Sequence, residues 1–207
     1  MKTMCKCKEN QISISYGNSK MGHIPSVSLP PIITCKNCES CANKCYANKL
    51  CRIYPSVRNA YNKNLDILKK DRKLYFEQVK SVAMLSGFFR WHVSGDIIDT
   101  DYLDNMCKVA RQCKNTKFLA FTKNYEDVNS YFMTHKKPAN LQILFSIPFD
   151  GARIENPHNL PKAAVILKGQ EPEKTYKICG GNCSECANCG IGCWELKKGE
   201  AIAFYEH

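Results

Sequence analysis

Two cysteine runs carry the strongest chemical signal in this chain. Cys35, Cys38, Cys41 and Cys45 form the first, and Cys183, Cys186, Cys189 and Cys193 form the second. Each spells C-x2-C-x2-C-x3-C. That is the spacing with which bacterial ferredoxins wrap a cubane iron–sulfur cluster, here without the proline that usually follows the last cysteine. Soft thiolates suit such clusters, and short spacers let one loop enclose the metal. Zinc is the competing metal, but a structural zinc site usually pairs two knuckles across a longer loop. The runs therefore predict two 4Fe–4S clusters.

The register of the second run is ambiguous. With Cys179 in front, Cys179, Cys183 and Cys186 spell C-x3-C-x2-C, the radical S-adenosylmethionine signature, in which three cysteines leave one iron open for the cofactor. That motif normally follows the first strand. Here it lies near the C-terminus, and two further spaced cysteines follow it. A closed four-cysteine site is the preferred reading, with Cys179 as an alternative ligand. Cys5 and Cys7 read as free thiols near a terminus. Cys51, Cys107 and Cys113 fall on or near helical patterns, where cysteine packs as a small apolar residue.

Around the runs, the pattern is that of an alternating α/β protein. At 207 residues, with 44% hydrophobic and 24% charged content, the expectation is one domain spanning 1–207. Residues 1–17 would be peripheral, and 170–199 a cysteine-rich cap. A short strand is expected over Gln11–Tyr16. The apolar pair Ile32-Ile33 leads into Cys35. Pro55 opens a long helical region that runs to Gly87, with its apolar stripe on Val57, Tyr61, Leu65, Leu68, Tyr75, Val79 and Val82. Strands are predicted at 88–93, 117–122, 141–147, 163–167 and 200–205, with helices at 101–113 and 125–132. Strands alternating with helices argue for a mostly parallel sheet or a partial (β/α) barrel.

In parallel α/β folds, sites gather at the C-terminal strand ends. Those ends carry Cys35, then His92, Ser94, Gly95 and Asp96, then Thr122 and Lys123, then Ser146 and Asp150, then Lys168 and Gly169. Strand alternation places His92 and Ser94 on one face. His92, Asp96 and Lys123 are the candidates for acid, base or anion-binding work, and Ser94 and Gly95 for contact with a cofactor. A capping role for Asp96 in the following helix is the plain structural alternative, and free exposure is the plain alternative for Lys123 and the terminal His207. The second cysteine run is expected to fold over this mouth. Strand aromatics such as Trp91, Phe118, Phe145 and Phe149 read as core rather than as base-stacking platforms.

The formal charge of +11 falls to about +7 if two cubanes of about −2 each are held. A basic surface attracts nucleic acid or an acidic redox partner protein. No apolar h-region and no stretch of eighteen apolar residues is present, so neither a signal peptide nor a membrane partner is expected. Abundant cysteine without a leader points to a reducing cytoplasm.

Several segments, taken in order, resemble the phage- and prophage-encoded "gene product 88" family. They are Ile24-Pro25-Ser26-Val27-Ser28-Leu29-Pro30, the loop end Cys45-Tyr46-Ala47, Arg90-Trp91-His92-Val93-Ser94-Gly95-Asp96, Phe121-Thr122-Lys123, Asn140-Leu141 and Cys193-Trp194. The resemblance covers roughly Asn18 to His207. It implies a viral or mobile-element origin and action in a bacterial host cytoplasm, and no particular activity. The strand-end layout is also similar to radical S-adenosylmethionine barrels. The combined expectation is a two-cluster redox protein, either an electron carrier or a cluster-dependent enzyme. The rivals are a radical S-adenosylmethionine-like enzyme and a nucleic-acid-binding protein with structural metal.

Overall fold

The computed structural model describes residues 10–39, 41–148 and 152–206. Cys5, Cys7, Phe149, Asp150 and His207 lie outside them. The strands are β1 (Ile14–Ser15), β2 (Ser26–Val27), β3 (Phe88–Trp91), β4 (Lys117–Thr122), β5 (Leu141–Ser146), β6 (Lys162–Ile166), β7 (Lys177–Ile178) and β8 (Ala201–Tyr205). They form one sheet in the order β1-β2-β3-β4-β5-β6-β8-β7. Every pairing is parallel except that of β1 with β2. The sheet is open: β1 and β7 are its edges, and it does not close into a barrel.

From β2 to β6 each strand lies beside its predecessor. Right-handed crossovers taken always in one direction leave their helices on one face. Accordingly α2 (Pro55–Lys70), α3 (Arg72–Ala83), α4 (Thr100–Gln112) and α5 (Tyr125–Thr134) share one core with the sheet. That core includes Leu65, Phe76, Val79, Leu103, Met106 and Val128 from the helices, and Phe89, Trp91, Phe118, Ile143 and Phe145 from the strands. Cys51, Cys107 and Cys113 are buried, as their helical positions predict.

The long helical region is two helices. Asp71 breaks it at φ −150° and caps the second, its side chain accepting the Leu74 N–H. The carboxylate offers a local partner that competes with helix continuation. The apolar pair Ile32-Ile33 is a turn with Ile33 exposed, and the nearby strand is only Ser26–Val27. The other predicted elements agree with the structure to within two residues, except that only Ile14–Ser15 of the first strand pairs.

The second face of the sheet carries the cysteine-rich segment. Helix α6 (Cys183–Cys189) and the turn Gly192–Trp194 bring Ala187, Trp194 and Leu196 onto Leu119, Leu144, Ala163 and Ile202. Trp194 meets Phe88 edge-on at 5.2 Å, and Gln142 Nε2 donates to the Leu196 carbonyl at 2.7 Å. The sequence pattern predicts a cap over the strand ends, but this segment covers the sheet face instead. The reason is the one-way winding, which leaves that face without helices to cover it. Among the described residues no helix is long and apolar enough to cross a membrane.

Asn64, on α2, is the polar tie between helix layer and sheet edge. It is 1% exposed. Its Nδ2 donates to the carbonyls of Ser13 and Ser28, and its Oδ1 accepts the Ser13 N–H at 2.6 Å. Asn64→Ala leaves three backbone groups without their partner. The variant is expected to lose about 2–4 kcal/mol of unfolding free energy, read by denaturant titration. A loss within error of wild type would mean that water replaces all three bonds.

Candidate metal centres

The first cysteine loop sits over the ends of β3 and β4. Its backbone is irregular, with Ile32 at φ +68° and Asn37 at φ +50°. For a β-branched residue such as Ile32 that conformation is strained. Asn37 Nδ2 donates to the Lys123 carbonyl at 2.8 Å, and Lys36 pairs with Asp127 at 2.6 Å. The loop ends where Cys45 caps α1 (Tyr46–Ile53), its sulfur accepting the Asn48 N–H at 3.4 Å. A helix N-terminus favours negative charge on such a sulfur. The four thiols act on one another electrostatically: Cys35 feels Cys38 and Cys45, and Cys41 feels the same two. Burial, with the nearby Asp96 carboxylate adding to it, pushes the Cys35 thiol up to about 12. Burial also raises Cys41, while the Lys123 ammonium opposes the rise.

Asp96, Gly95 and Lys123 gather beneath this loop. Asp96 is buried; its Oδ1 accepts the Ile97 N–H at 2.6 Å and its Oδ2 the Lys123 N–H at 2.9 Å. It therefore ties the end of β3 to the end of β4. Burial raises its carboxyl to about 6, against the pull of the Thr122 hydroxyl and the two N–H groups. The cap of α4 is Asp99, not Asp96, and accepts the Tyr102 N–H at 2.6 Å. Gly95, at φ +81°, has no room for a side chain. A Cβ there would lie 2.7 Å from Leu29 Cβ and 2.8 Å from Thr34 Oγ1. Ser94 Oγ donates to the Leu29 carbonyl at 3.0 Å. Ser94 and Gly95 thus fasten β3 to the chain leading into the first loop.

His92 lies elsewhere. Its φ of +53° breaks the strand alternation. The ring turns into the aromatic core, where Nε2 meets Tyr102 Oη at 3.0 Å and Nδ1 is buried without a partner. The expectation that His92 shares a face with Ser94 at the strand ends is corrected by this turn. Desolvation, helped by the Arg90 charge, lowers the imidazole to about 3.

The second thiol set lies on the sheet face. Cys179, Cys183, Cys186 and Cys193 are half-buried and pack on the same apolar cluster as Trp194 and Leu144, whereas Cys189 is exposed. Cys193 feels the other three, and burial pushes its thiol up to about 12. Gly181 N–H points to the Cys179 sulfur at 3.4 Å. Gly192, at φ +66°, passes so close to Cys186 that a Cβ would lie 3.1 Å from its sulfur.

Arg90 and Tyr46 stand between the two sets. Arg90 Nη1 is 4.0 Å from Cys183 Sγ, and its guanidinium lies 4.7 Å over the Phe121 ring. Its charge also acts on Cys193 and on the Tyr46 hydroxyl, which in turn feels Cys35 and Cys45 and donates to the Val93 carbonyl. Among the described residues, Arg90 Nε is buried without a partner. Neither Arg90 nor Tyr46 stands out by motif. The available signal was a charged residue inside the buried run Phe88-Phe89-Arg90-Trp91.

A family model described as "Gene product 88" matches residues 4–199. The chain belongs to that family. It is similar to the "Gene 88 protein" of Mycobacterium phage D29, with 25% identity, covering 84% of this chain and 85% of that protein. No solved structure matches. The matched span takes in both thiol sets, Arg90 and the Asp96 tie, and leaves β8 outside it.

His92 gives this family member a pH-dependent term. The folded state holds the ring neutral down to about 3, while the unfolded ring takes up a proton below about 6.5. The unfolded state therefore binds more protons in that window, and stability falls as pH drops through it. One such proton is worth about 2 kcal/mol between pH 7 and pH 5. In His92→Gln the loss of stability over that interval should be smaller by about this amount. Equal losses in both proteins would show that His92 is protonated in the fold.

Proposed function

We propose that the protein is a two-cluster iron–sulfur redox protein, one cubane on the first cysteine loop and one on the second thiol set. The observation that carries this reading is Arg90. It is a half-buried cation whose Nε has no partner and whose Nη1 faces a cysteine sulfur rather than a carboxylate. A buried charge needs a counter-charge, and a cubane on four thiolates supplies about −2.

The cysteine spacing is what favours a cluster over a single ion. Among the described residues no three His, Cys, Asp or Glu side chains converge closely enough to hold one metal ion. Zinc draws its ligand atoms to about 2.0–2.3 Å. A cubane presents four irons, each taking one thiolate, so its ligands stand further apart. When bound, such clusters supply one-electron transfer, at potentials set by charge, sulfur hydrogen bonds and exposure. The chain's own residues act on those terms. The Gly181 and Asn48 N–H groups hold sulfurs, Arg90 places positive charge beside Cys183, and Tyr46 with Arg90 occupies the gap between the sets. The raised thiols of Cys35 and Cys193 must lose protons to become ligands, so loading releases protons.

A second reading has one observation of its own: Cys179 lies beside Cys183 and Cys186 in the radical S-adenosylmethionine spacing. It requires an iron without a thiolate. Anaerobic purification with iron and sulfide quantification and EPR of the reduced protein tests both readings. Roughly eight irons and spin-coupled signals, with no 5′-deoxyadenosine formed from S-adenosylmethionine, are expected. Zinc in place of iron overturns the cluster reading, and 5′-deoxyadenosine would establish the second one. In Arg90→Gln, one of the two potentials should fall by on the order of tens of millivolts, because a cation favours the more negative reduced cluster. An unchanged pair of potentials would remove Arg90 from that role.

A further inference from the structure

The second cysteine run and the second thiol set differ by one residue. We infer that the second metal centre is held by Cys179, Cys183, Cys186 and Cys193, with Cys189 outside it as a free surface thiol. This rests on the metal reading above and sharpens it.

Helix geometry separates Cys189 from its neighbours in the run. Cys183–Cys189 is helical throughout. At about 100° per residue, Cys183 and Cys186 lie near one another on one face, and Cys189 is carried about 120° from Cys183. The burial agrees. Cys183 and Cys186 lie against the apolar cluster on the sheet, and Cys189 faces solvent. Gly190 then ends the helix in the left-handed conformation, φ +64°, with Ile191 N–H on the Cys186 carbonyl and Gly190 N–H on the Ala187 carbonyl. That turn, followed by Gly192 against Cys186, folds the chain back and delivers Cys193 to the sheet face.

Cys179 reaches the same place from the other side. Its N–H donates to the Ala203 carbonyl at 2.9 Å, which extends the β7–β8 pairing by one residue. Its side chain packs on the cluster that holds Cys183, Cys186 and Cys193. Four thiols would each take one iron of a cubane, which would leave no position for an outside ligand. Arg90, at Cys183, lies on the sheet side of this set.

Differential thiol labelling of the full chain, purified anaerobically, tests the assignment. Native protein is alkylated with iodoacetamide, then denatured and treated with N-ethylmaleimide, and each cysteine is read by mass spectrometry. Iron and zinc are measured on the same sample. Cys189 should carry the first label, and Cys179, Cys183, Cys186 and Cys193 the second. After chelation of the metal all five should take the first. Protection of Cys189 with labelling of Cys179 overturns this ligand set while leaving the cluster reading intact. The expected labels with zinc in place of iron overturn the cluster reading and keep the ligand set. Metal-free protein with all five labelled natively overturns both. As a second measure, Cys189→Ser should retain the wild-type iron content, and Cys179→Ser should lose about half of it.

Discussion

One-way winding of the parallel sheet is the constraint from which the rest of this structure follows. Neighbouring parallel strands joined by right-handed crossovers in a single direction put every helix on the same side. α2 to α5 obey this and bury Phe89, Trp91, Phe118 and Phe145. The same strands must then present Phe88, Leu119, Phe121 and Leu144 on the other side. A closed barrel hides such a face inside itself. This sheet stays open, so something else has to cover it, and the segment after β7 does so with little more than Ala187, Trp194, Leu196 and its half-buried cysteines. A short cover with so few apolar side chains is the kind of element that small folds reinforce with a metal or another cross-link.

Strand alternation then fixes where charge can go. Phe89 and Trp91 take the helix side, so Arg90 must take the cysteine side, in register with Ser26 and Leu119. It cannot reach water freely, and it lies over Phe121 with its end at Cys183. The positive φ at His92 ends this alternation. The turn lets Ser94, Gly95 and Asp96 leave the sheet and hold the first loop over the ends of β3 and β4. The two thiol sets are thus positioned by the same strand, one by its alternation and the other by the break that follows it.

The fold was legible where the signal was local and long. β4 and β5 are apolar runs bounded by polar turns, and α4 has a clear stripe; all three stand within two residues of the sequence reading. Asp71 was missed as a break because the apolar stripe continues across it; the competing cap is a single side-chain bond. β2 was missed because two residues carry no period. At the candidate site, the cysteine spacing and the Asp96–Lys123 neighbourhood could be read directly. The inward turn of His92 could not, since alternation assumes a strand conformation that this residue leaves.

The two cysteine runs show why spacing alone does not name a ligand set. Their sequences have the same period, but the backbone between the cysteines differs. In the first run, Cys35 and Cys38 lie on irregular turns with a left-handed Asn37 between them, and only a 3-10 turn precedes Cys45. Such a chain imposes no fixed helical rotation between successive thiols. In the second run an α-helix occupies three of the four positions. A helix rotates each third residue by about 60° relative to the last, so three cysteines at that spacing fan out instead of converging. Cys179, just past the edge strand β7 and outside the run, packs on the same apolar cluster as Cys183, Cys186 and Cys193.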